Sequence, residues 1–497
     1  MGTVIGIPKE LTAFLDRPAP QTLLLQGAPG TGKTLLCFEL LQGFRGRRIY
    51  VSSRVPRPNL ERDFPGMAPH PGSDEFRIID VTANRTDIRE IAKALSTSRK
   101  LVTEGDPGPD LRALFMPPEV LEAWSQTSRT SPTLVILDSW DAIVERHVGT
   151  SGAHDGSLPT REEVERIAVA QMTTGPVFVV FVAERREAGQ LEYLVDGVVS
   201  MGREVHEQRL ERWLRIEKLR GTRIVEPSYP FTLEGGRFRC LEPSVWHPQS
   251  KRTDIDRDPH PPPVTIWPGS ADYALHFGRL GVGKLTLIEH DPDVPIEALE
   301  VVLHPIMAEV LHRKGRVVEV PPPGLHPMEL FDHYKAWVSD EEFTRQVRIL
   351  GVLPHGEPKG LDEVLIPLPT SNETSHEFQT REAAKFLSEN LNAACPNLVV
   401  ESIDGLRAMN SFVPNTYTAE TLPGMALTYL QASPTHMIWT GVEDDPLTRS
   451  LRWIAATRIR MRWREGRIFV YGMVPRTPSL LLSDGDGRTP YHLLLIV

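Results

Sequence analysis

Between Gln21 and Phe44 the chain reads QTLLLQGAPGTGKTLLCFELLQGF: a short apolar run ending in Gly, a glycine-rich stretch, then a longer apolar segment. The first part has the length and composition of a buried parallel strand, and the last carries Leu35, Leu36, Phe38 and Leu40 among the apolar positions of a helix. Gly27, Gly30, Gly32, Lys33 and Thr34 between them complete a phosphate-binding loop in its strand-loop-helix setting. Glycines there let backbone N–H groups wrap a β-phosphate, and the helix start adds the positive end of its dipole. Lys33 would reach the β and γ oxygens, and the Thr34 hydroxyl would hold magnesium. The expected nucleotide contacts are Gly27, Pro29, Gly30, Thr31, Gly32, Lys33, Thr34 and Leu35, with ATP and Mg²⁺ as the expected ligands.

A second element fits the first. Leu134 to Leu137 form an apolar run that ends in Asp138, the pattern of a strand whose terminal carboxylate holds the magnesium through water. Asp141 reads equally as a first-turn helix carboxylate and as a catalytic one. RRIYVSS, EFRIIDV and GPVFVVFVAE read as further strands alternating with helical stretches such as TDIREIAKALSTS. This rhythm predicts an α/β fold with a mostly parallel sheet covered on both faces. The segment DGVVSMGREVHEQRLERWLRIEKLRGTR then reads as two strands joined by a polar turn.

Together GAPGTGKT, LVILDSWDA, YLVDGVVSM and IEKLRGTRIVEPSYPFTLEGG resemble the KaiC branch of RecA-like ATPases. IPKELTAFL and YVSSRVPRPNLERDFPG are similar to the archaeal group that includes the gas-vesicle regulator GvpD. The resemblance covers roughly residues 3 to 240. It implies a RecA-type core with ATP between neighbouring subunits of a homo-oligomer, a ring among the options. Lys218 and Arg220 match residues that, in such rings, reach the γ-phosphate of the adjacent protomer. A cation so placed raises phosphoryl-transfer rates by about 10³ to 10⁵. One departure stands out: where KaiC-like ATPases carry glutamates after the strand following the P-loop helix, this chain has Ser52, Ser53 and Arg54. Glu184, which ends VFVAE, reads equally as a substitute carboxylate and as an exposed strand-end Glu; with it the expected catalytic set is Lys33, Asp138 and Glu184, and hydrolysis is expected to be slow or absent.

The run PSVWHPQSKRTDIDRDPHPPPVTIWPG is dense in Pro and charge and reads as a linker. Beyond it HFGRLGVGKLTLIEH repeats a Gly, four residues and Gly-Lys. Placing His290 on Gly27 puts Phe277 on Phe14 without a gap and lays KLTLIEH over QTLLLQG. The second Gly-Lys pattern therefore precedes its strand, at the wrong end for a ligand, and HDPDVPIEALE occupies the loop position. LVVESIDGL aligns with LVILDSWDA, Glu401 over Asp138, Ser402 over Ser139 and Asp404 over Asp141. Met473 falls about where Lys218 stands and Pro475 near Arg220, so both cations of the finger are expected to be lost. The expectation is two tandem RecA/KaiC-like domains, the second degenerate, and the alternative is an unrelated α/β domain. The expected boundaries are 1–242 for the ATP-binding domain, 243–266 for the linker and 267–497 for the degenerate domain.

Composition narrows the functions further. A net charge of −10 gives nucleic-acid binding no help from the global field. No apolar run approaches the roughly 20 residues of a membrane-spanning helix, and MGTVIGIPKE has no signal-peptide core, so a cytoplasmic protein with no membrane partner is expected. Cys37, Cys240 and Cys395 are too few and too far apart for a disulfide framework or a zinc site, and the His residues lack ligand spacing, so no structural metal is expected. The leading expectation is a GvpD-like regulatory ATPase that switches a protein partner. The alternatives are a recombination or repair ATPase, which would need basic DNA-contact loops in ERHVGTSGAHDGSLPTREE, and a non-hydrolysing interaction protein with structural ATP.

Overall fold

The structure, a computed structural model, describes residues 6–65, 76–82, 118, 121–122, 132–145, 160–173, 177–184, 190–243, 265–323, 325, 330, 334, 338–351, 363–367, 375–390, 395–410, 417–432, 434–485 and 490–496. The expected helix TDIREIAKALSTS, most of the linker and residues 146–159 of the candidate DNA-contact loop lie outside these. The chain divides into two compact units, essentially 1–242 and 243–495.

In the first unit helix α1 (Lys9–Leu15) precedes strand β1 (Thr22–Gly27), and helix α2 (Lys33–Gly43) follows the glycine-rich loop. The other strands are β2 (Arg47–Ser52), β3 (Phe76–Asp80), β4 (Thr133–Asp138), β5 (Val177–Ala183), β6 (Gly197–His206), β7 (Arg209–Leu219), β8 (Ser228–Thr232) and β9 (Arg239–Cys240). Among the described residues they form one sheet in the order β3-β2-β4-β5-β1-β6-β7-β8-β9. The pairs from β3 to β6 are parallel and those from β6 onward antiparallel. All six residues of β1 are buried because helices cover both faces of the central strands. Alternation along the strands divides the core: Leu23, Leu25, Leu134 and Ile136 face α1 and α2, while Leu24, Val135 and Leu137 face Trp140, Ile143 and Val169.

The second unit repeats this plan. Its strands are β10 (Thr265–Ile266), β11 (Leu280–Gly281), β12 (Leu285–His290), β13 (Val317–Val320), β14 (Val347–Gly351), β15 (Leu365–Pro367), β16 (Asn397–Ser402), β17 (Thr435–Val442), β18 (Thr457–Arg464), β19 (Arg467–Val474), β20 (Leu480–Asp484) and β21 (Tyr491–Leu495). Its main sheet runs β15-β14-β13-β16-β17-β12-β18-β19-β20-β21. Apart from the extra edge strand β15, each strand has its counterpart in the first sheet, with β12 standing for β1 and β16 for β4. Both β12 and the helix Ile296–His312 begin 263 residues after their counterparts β1 and α2, so the loop between them has not changed length. Two tandem RecA-like α/β domains account for this pair of sheets. Thr265 and Ile266, at the end of the expected linker, pair with Leu280 and Gly281 of the second unit. Cys37 and Cys240 are buried and Cys395 is partly exposed, all as free thiols. Among the described residues no helix is long and apolar enough to cross a membrane.

Candidate functional site

The glycine-rich loop is set by close packing below and by backbone conformation above. A Cβ on Gly27 would lie 2.3 Å from the Met201 carbonyl oxygen, so β6 permits only glycine there. Gly32 caps α2 with φ +95°, a left-handed conformation that a side chain would strain. The Lys33 ammonium lies inside the loop and donates to the carbonyls of Gly27 (2.6 Å) and Ala28 (3.0 Å). Burial lowers its pKa against the opposing pull of Glu184 and Asp138. The Thr31 hydroxyl donates to the Ala28 carbonyl (2.9 Å), Pro29 and Gly30 are exposed, and the Leu35 side chain belongs to the core. Leu35 can therefore meet a ligand only through its backbone.

Thr34 Oγ1 donates to Asp138 Oδ2 across 3.0 Å, which brings the expected magnesium pair together. Octahedral magnesium with oxygens at about 2.1 Å holds neighbouring ligands about 3.0 Å apart, so these two atoms suit a shared cation or a shared water. Burial raises the Asp138 pKa, while Tyr50, Thr34 and Lys33 oppose the rise. Tyr50 was not anticipated. It stacks on Phe38 of α2 at 4.9 Å and its phenol donates to Asp138 Oδ2. The only hint in the sequence is one Tyr inside an otherwise aliphatic stretch, IYV, of a buried strand. Tyr50→Phe should raise the Asp138 pKa further, because a donor to the carboxylate is lost. If Asp138 holds a magnesium ion, nucleotide affinity should fall as pH drops through that pKa, and in the variant the fall should begin at a higher pH. Superimposable pH titrations of the two proteins would remove Tyr50 from the site.

The loops after β2 and β4 are stitched together where the catalytic glutamates were missing. Ser53 Oγ donates to the Ser139 carbonyl and accepts from the Ser139 N–H, both at 2.9 Å. Ser52 Oγ donates to the Val55 carbonyl. Arg54 forms an ion pair with Glu184, the expected substitute base. Asp141 is buried and accepts from the Glu184 N–H (2.6 Å) and from Arg161 (2.5 Å), so it clamps the ends of β4 and β5.

Lys218 and Arg220 sit elsewhere. Lys218 Nζ donates to the carbonyls of Glu192 (3.1 Å) and Val195 (2.6 Å), and Arg220 pairs with Asp196 at 2.9 Å. Asp196 in turn accepts from the Thr22 N–H and hydroxyl, at the start of β1. The length of β1, about 17 Å, separates them from their own glycine-rich loop.

In the second domain Asp291, Pro292, Asp293, Val294 and Pro295 fill the loop, and Ile296 stands where Lys33 stands. Two prolines remove two N–H donors, and Asp291 turns its carboxylate to the Trp463 N–H (3.2 Å). The Gly278 to Lys284 segment leads into the amino end of β12, so the lookalike pattern lies at the opposite edge from a ligand site. Strand register corrects the alignment by one residue in two places. Asp138 is level with Val182 and Ser402 with Thr440, so Ser402, not Glu401, occupies the place of Asp138. Ser402 nevertheless caps its helix at Gly405 as Ser139 does at Ala142, which explains why the motif aligned one residue out. Glu401 points to the other face, fully buried, where burial raises its pKa to about 8 and neither oxygen finds a hydrogen-bond partner among the described residues. Likewise Lys218 pairs with Val198 and Val474 with Arg458, which makes Val474 the counterpart of Lys218 and sets Arg476 two residues on, as Arg220 is. The second half has lost the lysine but retains an arginine. Asp404 lies 3.9 Å from His290.

A glycine-rich loop at the carboxyl end of β1, with an acid at the end of the second strand over, makes this a RecA-like P-loop nucleotide-binding protein. The family model described as "GvpD gas vesicle protein, P-loop domain" matches residues 110–217, from before β4 to Glu217 of β7. The chain is 26% identical to protein GvpD2 of Halobacterium salinarum over 98% of its own length and 95% of that protein's. It is 26% identical to protein GvpD1 of the same organism, over 65% of this chain and 58% of that one. It is also 26% identical to the circadian clock oscillator protein KaiC of Picosynechococcus, over 47% of this chain and 44% of that one. The chain thus resembles the GvpD-like proteins and, more widely, the KaiC/RecA-like P-loop group.

Proposed function

We propose that the first domain, residues 1–242, binds Mg-ATP and uses its occupancy as a regulatory switch for a protein partner, while the domain at 267–497 holds no nucleotide. Gly27 to Leu35 would cradle the phosphates, and Thr34 with Asp138 would hold the magnesium. The observation that carries this reading is the contrast between two loops of equal length. One has Lys33 inside it and Thr34 against Asp138, and the other has Pro292, Pro295 and Ile296. The pairing of Glu184 with Arg54 favours slow turnover, since a carboxylate engaged by a guanidinium is not free to orient an attacking water. Such a site suits signalling, in which γ-phosphate contacts order loops at a protomer boundary and alter what is bound there.

Mass photometry with and without Mg-ATP, beside a turnover assay, tests the reading. Nucleotide-dependent assembly with turnover well below the roughly 1–100 s⁻¹ of kinases supports it. Fast turnover stimulated by DNA, with steep salt dependence, would move the protein to the recombinase class. Arg54→Ala should release Glu184 and raise turnover several-fold, and Glu184→Gln in the same background should remove the gain. Turnover indifferent to both changes would place Glu184 outside the chemistry.

A further inference from the structure

Strand β6 runs parallel to β1 and continues past the glycine-rich loop, with Met201 level with Gly27. Val199 and Met201 point toward α2, and alternation carries Arg203 to the same face just beyond the loop. On β7, Ile216 and Leu214 face the same way and are followed by Arg212, which lies directly opposite Arg203. The two guanidinium groups meet the outer turn of the loop. Arg212 Nη1 donates to the Gly30 carbonyl at 3.0 Å, and a Cβ on Gly30 would be 3.8 Å from Arg203 Nη1.

Like charges directly opposite on an antiparallel pair destabilise it. Burial and then Arg203 lower the Arg212 pKa, as expected for a cation beside a cation. No carboxylate relieves Arg203 among the described residues, since its strand neighbour Glu204 pairs with Arg215 at 3.2 Å. The second domain supplies an internal comparison. The same register there places Trp463 opposite Ile468, apolar residues beside the proline-filled loop. The arginine pair accompanies the intact loop and is missing beside the eroded one.

We propose that Arg203 and Arg212 act in cis as an arginine pair closing over the terminal phosphate of a nucleotide held by the glycine-rich loop, so that the site distinguishes a triphosphate from a diphosphate. The inference rests on the nucleotide-binding reading of that loop. Each guanidinium carries five N–H donors in a planar fork that matches phosphate oxygens, and Arg212 already uses one of its own to hold the Gly30 carbonyl of the loop. Lys218 and Arg220, at the far end of β1, cannot serve their own loop, whereas these two arginines already stand beside it.

The test compares Mg-ATP and Mg-ADP affinity of the full chain with those of Arg203→Gln, Arg212→Gln and the double variant. ATP affinity should fall about tenfold per arginine while ADP affinity changes less than threefold. Ligand-free Arg203→Gln should be at least as resistant to heat as the parent, because a repulsion is removed, which a merely structural arginine would not give. Arg203→Lys, keeping charge without the fork, should recover only part of the ATP preference. Equal losses for ATP and ADP would mean base stacking or general attraction and would overturn the proposal, as would unchanged ATP affinity. If the parent chain bound neither nucleotide the underlying reading would fall with it, whereas a parent that binds both with indifferent variants sinks the arginine pair alone.

Discussion

Lys33→Ala is expected to lower nucleotide affinity by about a hundredfold or more, with the fold preserved. The ammonium lies within the ring of backbone that would surround a β-phosphate, and losing one partner of a desolvated charge pair costs about 2–5 kcal/mol. A factor of ten corresponds to about 1.4 kcal/mol, so the middle of that range already exceeds a hundredfold. Ala is the residue best suited to a helix interior, and the position begins α2, so the helix should persist. Calorimetric titration with Mg-ATP, beside thermal unfolding of both proteins, measures the two halves of this statement. An undiminished affinity in the variant would falsify the site.

The second large effect concerns stability. Glu401→Gln should stabilise the carboxy-terminal domain at pH 8 by about 2–4 kcal/mol and leave it little changed at pH 5. Burial raises the Glu401 pKa from 4.5 to about 8, so between those values the folded state keeps a proton that the unfolded state has released. Stability therefore declines as pH rises through this window, with a ceiling of about 5 kcal/mol for such a gap. Glu319, raised by burial to about 7, adds a decline of the same sign. His436 acts oppositely: burial lowers its pKa to about 4, so its contribution is lost as pH falls from about 6.5 toward 4. Gln keeps the shape of the buried side chain without a charge to neutralise. Denaturant unfolding of the full chain at pH 5 and pH 8 reads the difference, and an equal shift at both pH values would mean that Glu401 is not protonated in the folded domain.

The strand, the glycine-rich loop and α2 were legible because their chemistry is local: Gly27, Gly32 and Lys33 are required by backbone geometry within one stretch of chain. The tandem architecture was legible from one number, the common offset between Phe14 and Phe277 and between Gly27 and His290. What failed were statements about side-chain direction across strands. Glu401 was set over Asp138 because serine caps and helix acids align, yet a one-residue slip in a strand reverses the face, and only pairing with β17 reveals it. The same slip hid Arg476. Tyr50 and the Arg203–Arg212 pair were missed for a related reason: each reaches the site from a strand remote in sequence, and in the linear chain they are one aromatic and two ordinary charges. The ion pair between Glu184 and Arg54 also depends on two loops, more than a hundred residues apart in the chain, meeting beside β4 and β5.

The placement of Lys218 and Arg220 dictates the polarity of any assembly that uses them. They stand at the rear of β1 and the glycine-rich loop at its front, so a copy that offers its cations to another must set its rear against that copy's front. A twofold pair meets this requirement only side by side and antiparallel, where it completes both sites at once and stops at two copies. Head-to-tail stacking either closes on itself after a fixed number of copies or grows without limit, and the twist per copy decides which. A growing assembly would leave unfinished sites at its ends, so the ratio of nucleotide bound to chains present, measured against concentration, separates a closed hoop from a filament.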